Sequence, residues 1–274
     1  MSGITNNGRV ENSTASGKKE THLEITAGNK RNPQVSQATV IEIRNESDRV
    51  KGLTLKIAHT SFNFKAGQWV DMYIPGVDVV GGFSMSSSPK TLLTDHTIEL
   101  AISNSSHPPA HWVHTQCKIG DEVKLQVGGE FYFNPPKEVL KDDVLLIAGG
   151  VGINPLYSII QHINDIRQTS TCKTYLLYTA KTQTDLIYKT TLDTLFEKCP
   201  YTTVQYYTTQ STPNHPSIHY RRIDESDIQS VVSNCDLNSL HVFLCGPLSM
   251  IKTMNKFLLQ QKVPTSNIHF EKWF

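Results

Sequence analysis

The chain has 274 residues, which is enough for two domains of ordinary size and a sizeable core. Its 26 Lys and Arg residues balance 25 Asp and Glu residues, so a formal charge of +1 disfavours nucleic acid or an anionic surface as a partner. No apolar run approaches the roughly 18 residues of a membrane-spanning helix, and five scattered cysteines without a C-x-x-C pair predict a reducing intracellular compartment.

The amino-terminal residues 1–36 contain no Phe, Trp or Tyr and are rich in Ser, Thr, Asn, Gly and Lys. Such a segment buries too little apolar surface to offset its ordering entropy, so we predict a disordered tail. It lacks the apolar core of a signal peptide, and Glu11, Glu20 and Glu24 are unlike an acid-poor transit peptide.

Residues 37–136 form a domain that the sequence predicts to be all-β. Gly, Pro, Asn and Asp separate its strand-like runs at the spacing of a small barrel or sandwich. The predicted strands are Ala38–Ile43, Leu53–Ile57, Trp69–Ile74, Phe83–Ser87, Thr97–Ile102 and Glu122–Val127. Two consecutive prolines, Pro135 and Pro136, mark the end of this domain.

Residues 137–274 alternate strand and helix patterns, which predicts a doubly wound α/β domain with a mostly parallel sheet. The predicted strands are Val144–Ala148, Thr174–Thr179, Thr203–Tyr207 and Leu240–Leu244, with a last one near Ile268–Phe270. Helical patterns between them include Thr190–Lys198 and Ser226–Val232.

A glycine-rich turn follows the first strand of this domain, and an amphipathic helix begins after it. Glycines allow a bulky anion to approach the backbone, and a helix start offers N–H groups and a positive dipole end. We therefore expect a dinucleotide diphosphate here and expect a side chain at Gly152 to block it, with a plain structural turn as the alternative. The candidate residues are Gly149, Gly150, Val151, Gly152, Ile153, Asn154 and Pro155.

A second turn of the same design, Cys245-Gly246-Pro247, follows the strand Leu240–Leu244 and precedes another helix. In a parallel sheet both turns lie at the carboxyl ends of strands, where α/β proteins bind ligands. The pair of turns therefore favours a dinucleotide site over a purely structural role.

The motifs together resemble the ferredoxin–NADP reductase family, which includes the cytochrome b5 reductases. The segments that carry the resemblance are Phe64–Asp71, Gly81–Ser84, His107–His114, Gly128–Phe131, Gly149–Pro155 and Phe270–Trp273. The resemblance implies a six-stranded antiparallel flavin-binding barrel followed by a nucleotide-binding domain. It also implies an NAD(P)H-dependent flavoprotein oxidoreductase, a mitochondrial location, and an electron acceptor that the sequence does not name.

The resemblance assigns roles to five residues. Phe83 would stack on the flavin, and the Ser84 hydroxyl would approach flavin N5. Cys245 would lie beside the nicotinamide C4, Glu271 near the nicotinamide, and Trp273 over the flavin. The resemblance therefore implies catalytic roles for Ser84, Cys245 and Glu271, with NAD and FAD as cofactors.

Two phosphate contacts of the family are altered in this sequence. Gly81 stands where the family has an arginine, the usual bidentate phosphate ligand, and Pro108 to His111 replace a G-x-x-S motif. These departures leave a second hypothesis open, a nucleotide-binding or assembly protein that kept the reductase fold and lost flavin. No Cys or carboxylate lies at ligand spacing from the histidines, so no metal site is predicted.

The segment after Tyr178 bears on the choice of dinucleotide. NADP-specific members of the family carry a basic cluster there, whereas this chain has a single lysine, Lys181, and an acidic Asp185. The resemblance therefore favours NADH over NADPH.

Overall fold

The computed structural model describes residues 20–135, 140–167 and 170–272. The amino-terminal domain is a six-stranded antiparallel sheet with the spatial order β4-β3-β6-β1-β2-β5. A bridge between Met85 and Leu100 joins its two edges, so the barrel is nearly closed, as predicted. Its strands are β1 (Arg31–Ser47), β2 (Val50–Ile57), β3 (Trp69–Tyr73), β4 (Gly81–Ser84), β5 (Thr97–Ser103) and β6 (Glu122–Gly128).

The barrel interior follows from alternation along its strands, since successive side chains point to opposite faces. Leu53 and Leu55 of β2 meet Leu100 of β5 and Leu125 of β6 in one buried cluster. Two short helices lie beside the strands, α2 (Pro89–Asp95) and α3 (Pro108–Thr115), and α3 adds Val113 to this core.

The predicted disordered tail is wrong for its described part, residues 20–36. A short helix, α1 (His22–Ile25), precedes β1, and β1 itself begins at Arg31 rather than near residue 38. The structure therefore extends the barrel domain toward the amino terminus.

A buried carboxylate fastens this segment to the barrel. Asp71 of β3 has a fully buried side chain that binds His22 Nε2 at 2.9 Å and Arg31 Nε at 2.6 Å. The imidazole of His22 packs edge-on against Trp69 with its centroid 4.9 Å away. Because the anchors are polar residues, the apolar pattern of the sequence does not reveal them.

The second domain is a six-stranded parallel sheet with the order β10-β9-β8-β7-β11-β12. The strands are β7 (Val144–Gly149), β8 (Thr174–Ala180), β9 (Thr202–Thr208), β10 (Ile218–His219), β11 (His241–Gly246) and β12 (Ile268–Lys272). Within the described ranges, no helix has the length and apolar character needed to cross a membrane.

Helices cover both faces of this sheet, which confirms the doubly wound arrangement. Leu146 and Leu176 face α4 (Ile153–Ile166) and α5 (Lys189–Glu197) in one buried cluster. Leu145 and Val242 face α6 (Glu225–Val232) and α7 (Leu248–Gln260) in another.

The strand order reverses between β7 and β11. From β7 the chain proceeds outward to β8, β9 and β10, and it then returns to the other side of β7 as β11 and β12. Such a topological switch point opens a crevice at the carboxyl ends of the strands. Both glycine-containing turns lie at this crevice, after β7 and after β11.

A polar stripe on α4 joins the two domains. Its side chains recur at nearly helical spacing, so they share one face of the helix. They bind the barrel segment that follows β4 and the strand β5. Three side chains donate hydrogen bonds to backbone oxygens of the barrel: Asn154 Nδ2 to Ala101, Ser158 Oγ to Ser87, and Gln161 Nε2 to Ser86. The fourth, Asp165, accepts a hydrogen bond at Oδ2 from Ser88 Oγ.

Candidate active site

One hydrogen bond links the two domains at the switch point. Ser84 Oγ, at the end of β4, donates to Glu271 Oε2, on β12, over 3.3 Å. Ser84 is only 3% exposed. The barrel and the α/β sheet therefore each contribute a polar side chain to one enclosed place.

Cys245 lies in the strand next to Glu271. The two residues are register partners in the parallel pair β11–β12, so their side chains lie on the same face about one strand spacing apart, roughly 4.8 Å. Cys245 is fully buried. The structure therefore brings together Ser84, Cys245 and Glu271, the three residues that the resemblance assigns to catalysis.

The carboxyl group of Glu271 is enclosed although the residue as a whole is partly exposed. Burial raises the pKa of Glu271 from an ordinary 4.5 to about 8, and the hydrogen bond from Ser84 partly offsets this rise. The group therefore holds a proton at neutral pH. A buried carboxyl in this range can donate or accept a proton under physiological conditions.

The glycine turn after β7 has one open and two closed positions. At Gly149 an added Cβ would lie 2.8 Å from Pro247 Cδ, in the second turn. Gly150 has φ +56°, and an added Cβ would meet nothing within 4 Å. At Gly152 an added Cβ would lie 2.3 Å from the carbonyl oxygen of Cys245 and 2.8 Å from the amide nitrogen of Gly246. The expectation that a side chain at Gly152 would enter the space of a diphosphate is therefore wrong, because that side chain would enter the backbone of β11.

The remaining candidate residues of the two turns differ in their exposure to solvent. Ile153, Asn154 and Pro155 are buried, and Asn154 binds the barrel rather than facing the crevice. Val151 is half-buried, and Pro247 is exposed at the start of α7. Of the first turn, Gly150 and Val151 are thus the residues accessible to a dinucleotide.

Comparison with known proteins shows which family the chain belongs to. The family model for the oxidoreductase NAD-binding domain matches residues 146–256. The oxidoreductase NAD-binding domain-containing protein 1 of Danio rerio is 42% identical over 265 residues, which cover 92% of this chain and 97% of that protein. The chain belongs to this family. The resemblance predicted from the motifs is confirmed, and the chain is a member of an oxidoreductase family.

Solved structures of reductases have the same fold as this family member. The Amycolatopsis cytochrome P450 reductase GcoB superposes with a TM-score of 0.74 at 20% identity, over 87% of this chain and 69% of that one. A flavohem-like FAD/NAD binding domain of a nitric oxide dioxygenase from Vibrio cholerae gives 0.71 at 20% identity, over 87% and 98%. These matches support the predicted two-domain architecture.

The ring end of a flavin site fits the residues present in this family member. Phe83 is half-buried, which leaves part of the ring accessible for stacking. The Ser84 hydroxyl next to it is a hydrogen-bond donor at the domain junction. The other expected aromatic, Trp273, lies outside the described residues.

The phosphate end of the site differs from the pattern of the wider reductase family. An added Cβ at Gly81 would lie 2.8 Å from Pro109 Cβ and 2.4 Å from Phe83 Cε2, so the chain itself fills that position. Pro108 and Pro109 occupy the first two positions of α3, where they remove two N–H groups that an anion could use. The residues present therefore fit a flavin ring but supply neither of the expected phosphate contacts.

A cavity that the sequence analysis did not identify lies farther along the same edge of the sheet. It has a volume of about 840 Å³ and lies beside the carboxyl ends of β8 and β9. Thr182, Gln183 and Ser211 are among the residues that line it. Its only signal in the sequence is the polar turn that follows each of two predicted strands.

Proposed function

We propose that the chain is an NAD(P)H-dependent flavoprotein oxidoreductase that prefers NADH and passes electrons to an acceptor. The observation that carries the proposal is the convergence of Ser84, Cys245 and Glu271 beside the switch point, where the barrel meets the sheet. Membership of an oxidoreductase family supports it, as does the fold shared with a domain described as binding FAD and NAD.

The dinucleotide would lie along the carboxyl edge of the sheet. The open space at Gly150 lets the diphosphate approach the backbone near the start of α4, where the helix dipole favours an anion. The nicotinamide would then lie at the carboxyl end of the next strand, β11, above the buried Cys245. The contribution of these residues is to bind and orient the substrate.

Ser84 and Glu271 would control protons at the reacting end. Because its pKa is about 8, Glu271 carries a proton at neutral pH and would exchange it with a neighbouring group. The Ser84 hydroxyl donates its single proton to Glu271 in this structure. It would turn from Glu271 to donate to a group that gains negative charge.

A flavin, when bound, supplies an acceptor for two electrons that can release them one at a time. Phe83 and Ser84 would hold its ring.

A separate observation supports a second candidate function. The packing of Pro109 against Gly81 and the two prolines at the start of α3 remove the phosphate contacts that hold flavin in the resembled family. A protein that binds a dinucleotide without flavin, and acts in binding or assembly, is consistent with this packing.

The absorption spectrum of the purified full chain separates the two candidates. Flavin bands in the visible range, present on purification or gained with FAD or FMN, are expected if the chain is a flavoprotein. Bleaching of those bands by NADH under anaerobic conditions tests the redox activity. A colourless protein that gains no bands but still binds NAD in calorimetry would support the second candidate instead.

We also propose a mitochondrial location, which rests on the resemblance alone. Imaging of the full-length gene product with its native amino terminus tests it. A diffuse cytosolic signal would contradict the proposal.

A further inference from the structure

The cavity beside β8 and β9 is shared by the two domains. Most of its lining comes from the turns that follow these strands, including Thr182 and Ser211. Glu46, near the end of barrel strand β1, also lines it. A barrel side chain therefore forms part of a cavity at the ligand-binding edge of the α/β sheet.

The position of the cavity suits the far half of a dinucleotide. From Cys245 on β11, the edge of the sheet passes β7 and β8 before it reaches β9. Three strand spacings cover roughly 14 Å. A dinucleotide with its nicotinamide at Cys245 and its diphosphate at Gly150 would therefore place its adenosine in this cavity.

The α/β side of the cavity is polar but provides no unpaired cation among the described lining residues. Hydroxyl and amide side chains come from Thr182, Gln183, Ser211 and Asn214. The ammonium group of Lys189 lies 2.6 Å from Asp193 Oδ2, which neutralises it. Such a lining suits neutral hydroxyl groups better than a phosphate.

The carboxylate of Asp185 accepts hydrogen bonds within its own turn. Its Oδ2 atom accepts hydrogen bonds from the backbone N–H and the hydroxyl of Thr182 at 3.2 and 2.7 Å. Asp185 therefore shapes the turn, and the acidic group that lines the cavity is Glu46 of the barrel.

Glu46 belongs to a group with excess negative charge. The guanidinium group of Arg44 binds Glu42 at 2.6 Å, Glu46 at 3.3 Å and Glu99 at 3.4 Å. Burial raises the pKa of Glu99, Arg44 partly offsets this rise, and the neighbouring Glu46 and Glu42 add to it. Even with Glu99 protonated, Arg44 balances only one of the two remaining carboxylates.

We propose that Glu46 selects the dinucleotide whose adenosine ribose lacks a 2′-phosphate. The inference rests on the proposed function and assigns the choice between the two dinucleotides to a residue of the barrel. A 2′-phosphate in the cavity would meet a carboxylate of like charge, whereas a ribose hydroxyl can donate a hydrogen bond to it. Both domains together would thus determine which dinucleotide binds.

Calorimetric titration of the full chain with NAD+ and NADP+ tests the role of Glu46. The wild type is expected to bind NAD+ at least about 10-fold more tightly than NADP+. Glu46→Gln is expected to tighten NADP+ binding by about 5- to 10-fold and to change NAD+ binding little. Glu42→Gln is the matched control, because Glu42 shares the Arg44 partner but does not line the cavity.

The outcomes distinguish a failure of the role of Glu46 from a failure of the proposed function. An unchanged ratio of affinities in Glu46→Gln, with both nucleotides bound, would overturn the role of Glu46 and leave the proposed function standing. Absence of binding by either nucleotide to the wild type would overturn both.

A salt series on the wild type and on Glu46→Gln gives a second measurement. Ions screen repulsion between charges, so the NADP+ affinity relative to NAD+ is expected to rise with salt. The same series with Glu46→Gln should show a weaker rise. Equal salt dependence in the two proteins would contradict a charge effect of Glu46.

Discussion

The Ser84 hydroxyl and the Glu271 carboxyl, 187 positions apart in the chain, meet in a 3.3 Å hydrogen bond across the domain junction. Neither residue has this environment within its own domain alone. Formation of the candidate site therefore depends on the docking of the barrel against the sheet.

Ser84→Ala is expected to slow hydride transfer from NADH by about 10- to 1,000-fold, the effect of losing one placed donor. The melting temperature should change little, because Glu271 is already protonated at neutral pH and tolerates the loss of one donor. Stopped-flow measurement of NADH oxidation gives the rate. Ser36→Ala removes an equally buried hydroxyl elsewhere in the barrel and should leave the rate unchanged.

The raised pKa of Glu271 predicts a pH-dependent stability. Because the folded pKa of about 8 exceeds the unfolded value near 4.5, the native state holds the proton more tightly. Stability is full below the unfolded pKa and falls by up to about 1.4 kcal/mol per pH unit until the pH passes 8. Glu271→Gln carries no such proton, so its melting temperature should exceed that of the wild type at pH 8 and approach it at pH 5.

Thermal unfolding between pH 5 and 9 measures this difference. The exposed Glu122 provides a control, since Glu122→Gln should follow the wild type at every pH. A constant difference between Glu271→Gln and the wild type would show that the carboxyl is not the titrating group.

Gly150 and Gly152 of the first turn should respond in different ways to substitution. Gly150→Ala places a methyl group in the open space over the turn, so we expect folded protein with weaker NAD+ binding and a strain of about 1–2 kcal/mol from its positive φ. Gly152→Val should instead prevent native packing, because the side chain would enter the backbone of β11.

Calorimetry with NAD+ and thermal unfolding distinguish these effects. Gly120→Ala is the matched control, since Gly120 also has a positive φ and open surroundings but lies in the barrel. Equal NAD+ affinity of Gly150→Ala and wild type would remove the first turn from the binding site.

The α4 stripe makes a prediction about domain docking. Ser158 is fully buried and donates over 2.6 Å to the carbonyl oxygen of Ser87. Ser158→Ala should cost about 1–3 kcal/mol, because that carbonyl loses a buried partner. Urea denaturation measures the loss, and Thr253→Ala, on the exposed face of α7, should cost much less.

The sequence predicts most of the fold because the cores follow apolar periodicity. Every predicted strand overlaps an observed one, and the two turns lie where the strand patterns end. The helix α4 also carries its predicted apolar face, including Ile159 and Ile163, toward the sheet. These features depend on contacts that repeat along one element.

The missed features depend on contacts between distant elements. Asp71 is an ordinary polar residue in the sequence until His22 and Arg31 meet it across the fold. The closed environment of Gly152 exists only because β11 lies beside β7. Glu46 similarly reaches the cavity only through domain docking.

Asp71 also bears on how the barrel could be separated from the rest of the chain. A fragment that begins at residue 37, where the apolar pattern starts, would leave this carboxylate without its partners His22 and Arg31. Leaving a buried ion without its partners costs about 3–5 kcal/mol, a large part of the roughly 5–15 kcal/mol that stabilises a typical domain. Residues 22–31 thus act as a covalently attached counter-ion for the barrel.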